Sequence, residues 1–356
     1  KSNYSDRKLC MAIIAPDLGI DLGTSNTLVY VRKKGIVIDE PTLLIVSGSS
    51  KRSIKSIGQD AKALVGRTSG GDVAVRPMQD GTIKEYDMTE SILRFFIRKA
   101  IGVSHLVKPR AFITVPCRIS AVEKRVVREA AVAAGIRRNA IHLIEKPFAS
   151  ALGSGLPVFA PEGSMVVDIG GGTTEAAIIS IGGVVSSKSI MTGGIKMDEA
   201  VMNYLKHDYN MLIGDRMAED IKIDWGTALP PKDERKVMVR GRDIITGLPQ
   251  TAEITATKIY EALHAPCKQI LAAIRAVLDT APPELAGDIL RKGIYLMGGG
   301  SLLYGLDRYL ANELNLPVTL AKDPMLCAAQ GVGNLAENAS LLPRIGRSTF
   351  MRDETE

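Results

Sequence analysis

The sequence predicts an α/β protein of two domains built by duplication, and three observations predict it. Strand-like apolar runs alternate with amphipathic helical runs. The 356 residues suffice for roughly two domains. One local grammar also occurs twice. Asp21-Leu22-Gly23-Thr24-Ser25-Asn26-Thr27 follows an apolar lead-in and runs into Leu28 to Val31. Asp168-Ile169-Gly170-Gly171-Gly172-Thr173-Thr174-Glu175 follows Met165-Val166-Val167 and runs into Ala176 to Ile179. Each reads as strand, acidic residue, glycine-containing turn with hydroxyls, strand. A second tight turn follows each (Lys33-Lys34-Gly35; Gly182-Gly183), then another β-branched run. Two such loops point to a duplicated fold that grips a polyphosphate and its metal from both sides.

The elements follow in order. Asp87-x-x-Glu90 has a capping pattern and opens a helix through Ile92, Leu93, Phe96 and Ile97, ending near Gly102. Ala111 to Val115 reads as a buried strand ended by Pro116. Ser120 caps a helix with Val122, Val126 and Ala130 on one face, closed by Gly135. Small residues fill Ala149 to Gly155, so that helix packs very closely on a neighbour. Asp198 to Leu212 and Arg216 to Trp225 read as helices. Pro230-Pro231 and the charged Lys232 to Lys236 form a loop, and Val237 to Ala262 holds two strands and a helix start. Ile294 to Met297 is a strand that breaks into Gly298-Gly299-Gly300-Ser301, with a helix from Leu302. The tail after Leu341 is polar and expected to be disordered.

Composition excludes several function classes. Hydrophobic residues make up 46%, ample for packed cores. No apolar run approaches the roughly 18 residues that span a bilayer. Leu9 to Ala15 is shorter and lacks a small-residue cleavage site, so no signal peptide is expected. The first residue is Lys1, which leaves the native start open. The four cysteines form no CxxC pair and the four histidines are scattered, which argues against a disulfide framework or metal cluster and for a reducing cytoplasm. The net charge of +6 is dispersed, with no long basic run or aromatic RNA-binding motif, so no nucleic-acid partner is expected.

In the first loop, Gly23 lets backbone N–H groups approach phosphate oxygens, and Thr24, Ser25, Asn26 and Thr27 add neutral donors. Asp21 at the strand end suits a hydrated magnesium, because a carboxylate repels phosphate. A simple hairpin turn is the competing reading. In the second loop, Gly170, Gly171 and Gly172 exceed what a hairpin needs. Asp168 again suits magnesium waters, and Thr173 is placed to polarise a water near a terminal phosphate. Gly299, Gly300 and Ser301 form either a backbone platform for a base or ribose, or a tight strand-to-helix turn. Glu219 and Lys222, one helical turn apart, either bind a ribose or adenine edge or form a solvated ion pair.

In order, Asp21 to Thr27, Glu145-Lys146-Pro147-Phe148-Ala149-Ser150-Ala151-Leu152-Gly153, Asp168 to Glu175 and Met297 to Leu303 resemble the actin, heat-shock chaperone and sugar kinase superfamily. Within it the chain closely resembles the MreB family of bacterial actins, which organise cell-wall synthesis. Further matching stretches are Gly35 to Pro41, Val65 to Thr68, Arg76 to Gly81, Gly163 to Asp168, Lys196 to Ala200, Pro282 to Ala286 and Asp323 to Met325. The likeness runs from Gly19 to Glu337 without a large insertion.

The resemblance implies an actin-like fold of two domains, each with a core and a small subdomain, around an ATP cleft. Domain I would span 1–150 with an inserted subdomain near 38–82, and domain II 151–320 with a subdomain near 195–260. Residues 321–356 would return to domain I and end in a polar tail. It implies that Asp21 and Asp168 serve Mg2+ through water, and that the loops from Gly23 and Gly170 cradle the phosphates of ATP or ADP. Glu219, Lys222 and Gly299 to Ser301 would bind the nucleoside. It also implies head-to-tail filaments, commonly paired antiparallel protofilaments, on the inner face of the cytoplasmic membrane, with membrane proteins of cell-wall elongation as partners.

Three departures stand out. The family's catalytic glutamate directly precedes the proline of the connecting helix; here Lys146 precedes Pro147. A protonated amine has no acceptor with which to orient an attacking water. Slow ATP hydrolysis with nucleotide binding retained is therefore expected, as in a divergent paralogue, unless Glu145, or Thr173 with backbone groups, suffices. Ile195 replaces an acidic residue after Gly193-Gly194, and Asp224-Trp225 replaces a Glu-Ile pair. Membrane contact has two candidates. Leu9 and Ile13 share a helical face behind Arg7 and Lys8, and Leu106-Val107 matches a family loop that inserts into membranes. The bland alternatives are a frayed tail and a half-buried loop. A metabolite kinase would need a carboxylate base facing a sugar pocket, and a chaperone a further substrate domain; neither feature is evident in the sequence.

Overall fold

The computed structural model describes residues 15–48, 53–67, 71–102, 107–117, 119–346 and 350–351. They form two compact units. The first takes the described residues to Ser164, Ile179–Val185 and those from Met325 onward; the second takes Met165–Ile178 and Ser186–Pro324.

The first unit opens with a meander of β1 (Leu18–Leu22), β2 (Asn26–Val31) and β3 (Gly35–Pro41). The β2–β3 turn places Lys33 and Gly35 at positive φ. A small separate sheet follows, of β4 (Leu44–Val46), β5 (Ile54–Ile57) and β6 (Val73–Val75) in the order β5-β4-β6, with helix α1 (Gln59–Leu64). Leu43, Ile45 and Ala61 form its own buried cluster. The hairpin β7 (Met78–Gln79) and β8 (Thr82–Ile83) leads to α2 (Tyr86–Ile101), β9 (Ala111–Val115), α3 (Ala121–Ala133), β10 (Ile141–Glu145) and α4 (Lys146–Gly153).

From Ser164 the plan repeats, mostly within the second unit. A meander of β11 (Ser164–Ile169), β12 (Thr174–Ser180) and β13 (Gly183–Ile190) leads to α5 (Gly194–Tyr209), β14 (Met211–Leu212) and α6 (Asp215–Trp225). Then come β15 (Lys236–Asp243), β16 (Pro249–Thr255), α7 (Ala256–Leu278), α8 (Pro283–Lys292), β17 (Ile294–Met297), α9 (Leu306–Leu314) and β18 (Val318–Leu320). The chain closes in the first unit with α10 (Cys327–Glu337) and β19 (Phe350–Met351).

The main sheets run β19-β10-β9-β1-β2-β3 and β13-β12-β11-β17-β18. Apart from β19 the order is the same, with β1 matched by β11 and β9 by β17. In both, the central strand pairs parallel with the strand that returns through helices, and in the first β1 pairs antiparallel with β2. Each unit has its own apolar core. The three-stranded sheet β14-β15-β16 stands apart in the second.

Local chemistry corrects several boundaries. The helix expected to start under an Asp87 cap begins at Tyr86, and its N-cap Glu85 makes no side-chain cap bond. Ser120 does cap α3: it accepts from the Glu123 N–H, and Glu123 returns the bond to the Ser120 N–H. The face that α3 buries is Val127, Ala130 and Ala131, whereas Val122 is 72% exposed. The helix expected from Asp198 to Leu212 runs from Gly194 to Tyr209. Asn210, at φ 49°, stops it, and Met211–Leu212 pairs with Asp243 and Arg242 instead. The helix expected from Leu302 is a 3-10 turn over Gly299–Leu302, and α9 starts only after Gly305 at φ 74°. The tail expected to be disordered carries a 3-10 helix at Ala339–Arg344, and β19 pairs antiparallel with β10.

The small-residue helix packs as expected. A Cβ added at Gly331 in α10 would lie 1.8 Å from the Ala149 carbonyl oxygen, and one at Gly153 would lie 1.9 Å from that of Cys327. Only glycine lets α4 and α10 approach this closely. Gly331→Ala gains about 1 kcal/mol of helix propensity but incurs about 1–3 kcal/mol of overpacking in a backbone contact with no flexible atom to yield. The expected outcome is a lower urea midpoint. Gly287→Ala in α8, where an added Cβ meets nothing within 4 Å, should instead raise the midpoint by the propensity gain.

Candidate nucleotide site

The two Asp-Gly loops close by the same bond at the same spacing. The Gly23 N–H donates to the Asn26 carbonyl at 3.1 Å, and the Gly170 N–H to the Thr173 carbonyl at 2.8 Å. Each loop starts two residues after an aspartate at the end of a central strand, and both aspartates are buried. The threonine six residues after each aspartate is fully buried and bonded to the following segment. Thr27 Oγ1 lies 2.9 Å from Thr42 Oγ1, and Thr174 Oγ1 donates to the Thr192 carbonyl at 2.6 Å. The duplication therefore extends to individual side chains.

The glycines differ in purpose. A Cβ at Gly23 would lie 2.5 Å from the Asn26 carbonyl, so the turn itself demands glycine there. A Cβ at Gly170 would meet only the Thr173 carbonyl at 3.4 Å, an ordinary contact. Gly170, Gly171 and Gly172 all lie outside the positive-φ region. Gly170 is therefore not demanded by the turn's own geometry, which leaves close approach of another group as its physical use. The Gly170 and Gly171 carbonyls accept from the Gly194 and Ile195 N–H groups at 2.9 Å, so the start of α5 steadies this loop.

Several expected phosphate-loop side chains already have partners. Thr24 Oγ1 accepts from the Gly81 N–H at 3.1 Å, and Asn26 Nδ2 donates to Asp39 at 2.9 Å. Ser25 and Thr173 are half-buried. Ser301 Oγ turns inward and donates to the Gly298 carbonyl at 2.6 Å, while Gly299 is exposed. Gly298 sits at φ 80°, and a Cβ there would lie 2.4 Å from the Ile169 carbonyl, so the strand end fits against the second loop only as glycine. Lys222 lies with Asp198 across α5 and α6, at 2.8 Å, and also donates to the Gly194 carbonyl. Glu219 is half-buried on the same helix. Asp198 was not among the expected site residues, although it lies in the stretch from Lys196 to Ala200.

Lys146 opens α4 and reaches Asp21. Its Nζ is 3.3 Å from the Asp21 carboxylate, and Thr114 Oγ1 donates to the same carboxylate at 2.5 Å. Thr114 follows the parallel register that sets Ile20 opposite Ile113, which brings it beside Asp21. It is the polar residue within an apolar strand, a signal legible in the sequence. Glu145 is the buried last residue of β10, opposite Val115, and makes no side-chain cap bond to α4.

Among the described residues no cluster of three or more His, Cys, Asp or Glu could hold a metal. A divalent ion would rest on single carboxylates through water and on oxygens of its ligand. Asp168 and Asp21 are the candidates for that outer role, and at Asp21 the Lys146 ammonium already meets the carboxylate charge at 3.3 Å. Of the membrane candidates, Leu9, Ile13 and Leu106 lie outside the described residues. Val107 is half-buried, and its carbonyl accepts from the Ala15 N–H at 3.2 Å. Among the described residues no helix is long and apolar enough to cross a membrane.

Two sheets of one strand order, each with an aspartate and a glycine loop at the same place, define the duplicated actin-type class of nucleotide-binding fold. The MreB of Spiroplasma citri numbered 5, solved with AMPPNP, superposes with a TM-score of 0.86 at 32% identity, covering 92% of this chain and 97% of that one. The family model for the MreB/Mbl protein matches residues 15–344, and the chain belongs to that family. It is 44% identical to the cell shape-determining protein Mbl of Bacillus cereus, over 93% of this chain and 99% of that protein. It is 45% identical to the cell shape-determining protein MreB of Escherichia coli K12, over 90% and 93% respectively.

The Asp198–Lys222 pair gives a pH prediction. Burial pushes the Asp198 carboxyl up to about 6, offset only in part by the Lys222 ammonium, with Glu219 and Asp215 adding to the rise. Between the ordinary value of 3.8 and about 6, the folded state holds a proton that the unfolded chain has lost. Stability therefore falls as pH rises through that window. Chemical denaturation at several pH values should show this slope in the native chain and a flatter one in Asp198→Asn.

Proposed function

We propose that this chain is a nucleotide-switched, actin-like filament protein that governs cell shape and cell-wall synthesis. The observation that carries the reading is the doubled loop: two strand-end aspartates, each followed by a turn closed through the same hydrogen bond. Kinship with cell shape-determining proteins supports it. The nucleotide is ATP or ADP, in keeping with the AMPPNP- and ADP-bound Spiroplasma relatives.

The loops from Gly23 and Gly170 donate backbone N–H groups to phosphate oxygens. The exposed backbone at Gly299, with Gly300, lies against the nucleoside, and Glu219 and Lys222 hold its polar edge. Asp168 holds magnesium through water; the ion, when bound, neutralises charge on the phosphates. Thr173 polarises the attacking water. Subunits associate head to tail as paired protofilaments, and nucleotide favours one conformation whose surface fits the next subunit. The filament lies at the cytoplasmic face of the membrane through Leu9, Ile13, Leu106 and Val107, with membrane proteins of cell-wall elongation as partners.

Hydrolysis is slow because Lys146 stands where the family has its catalytic glutamate. An ammonium donates three hydrogen bonds and accepts none, so it cannot take the proton of the attacking water. A positioned carboxylate base contributes about 10²–10⁴-fold. Sedimentation with ATP, alongside phosphate release, tests the reading. Native chain should pellet and release phosphate slowly, and Lys146→Glu should release it at least about tenfold faster. A native chain that stays in solution with nucleotide refutes the filament reading. One that hydrolyses as fast as Lys146→Glu refutes the role of Lys146.

A further inference from the structure

We infer that Lys146 is a built-in cation that takes over the charge of a divalent metal at Asp21, so that this chain binds nucleoside polyphosphate with little dependence on magnesium. The inference rests on the nucleotide-binding reading and deepens it.

The juxtaposition is specific. Asp21 is 4% exposed, and a carboxylate so buried requires a compensating positive charge or donors. Thr114 Oγ1 donates to it at 2.5 Å, and the Lys146 ammonium lies 3.3 Å away, its side chain 19% exposed. With that partner the Asp21 position carries no net negative charge. A hydrated magnesium placed there would face the ammonium rather than a free carboxylate, and like charges in a partly buried site repel.

An anion meets the opposite situation. The phosphate-type loop begins at Gly23, two residues beyond Asp21, and is held by the Gly23–Asn26 and Thr42–Gly23 hydrogen bonds. An ammonium has three N–H donors, so holding Asp21 does not preclude donating to a phosphate oxygen. Lysine is also the side chain that binds phosphate as a compact point charge. Lys146 opens α4 ahead of Pro147, and α4 is locked against α10 by the glycine contacts at Gly153 and Gly331. The cation is thus mounted on one of the most closely packed pieces of the unit.

The test is equilibrium binding of a fluorescent ADP analogue to the full chain, in excess magnesium and in EDTA. Folding of each variant is checked by thermal melting. The native chain should lose less than about threefold in affinity on magnesium removal. Lys146→Glu should become metal-dependent, losing more than about tenfold in EDTA. Lys146→Met, which keeps the stem and removes the charge, should behave alike and serves if the glutamate variant does not fold. If the native chain binds only with magnesium, the inference is overturned while the nucleotide reading stands. If it binds in neither buffer, both fall. If native and Lys146→Met lose affinity equally in EDTA, Lys146 does not supply the charge and the inference is overturned.

Discussion

A carboxylate buried at the end of a central strand must be given compensating charge or donors, and the arrangement around Asp21 follows from that need. A lone ionised carboxyl in a protein interior is far too costly to persist unpaired. Asp21 sits between the apolar Ile20 and Leu22 in its own strand, so its compensation comes from other segments of the chain. Thr114 reaches it because β9 runs parallel to β1 in a register that brings a hydroxyl alongside. Lys146 reaches it because β10 ends one residue earlier and α4 begins there. The sheet order therefore decides which side chains can serve the site.

The same topology recurs in the second unit with different partners. Asp168, next to last in β11, lies opposite Met297, where the first unit has Thr114, and Gly298 follows at once with positive φ against the Ile169 carbonyl. One unit supplies a hydroxyl and an ammonium at this level of the sheet, and the other a glycine-lined backbone. The duplicated frame thus carries different chemistry in its two copies.

Much of this frame was legible in the sequence. The repeated Asp-Gly grammar marked both central hairpins, Ser120 marked a capping box, and the small residues from Ala149 marked the helix that packs on Gly331. Each of these is local chemistry, set within a few residues of chain. What escaped depends on register between distant segments. Thr114 beside Asp21, and Asp198 beside Lys222, are made by strand and helix pairings that no spacing rule encodes. The missed boundaries have a second cause: Asn210 and Gly305 end or delay helices through left-handed backbone, overriding apolar patterns that would carry a helix onward. The inward turn of Ser301 belongs to the same class, since a 3-10 turn decides which way a hydroxyl faces.

The exchange of glutamate for lysine before Pro147 matters through its sign. At 3.3 Å and an effective dielectric near 20, unit charges interact by about 5 kcal/mol before desolvation. For the lysine that interaction attracts, and the cost of burying both ions, several kcal/mol each, consumes most of it. The pair therefore adds little net stability. With glutamate the interaction would be repulsive, and a bound cation or a proton would relieve it. A chain with glutamate at this position has more reason to recruit a metal beside Asp21 than a chain with lysine. On the proposed function, one residue bears on two properties, since it lacks an acceptor to orient water and supplies charge that a metal would otherwise bring. The proposed slow hydrolysis and the proposed metal tolerance would then be two consequences of one ammonium rather than independent traits.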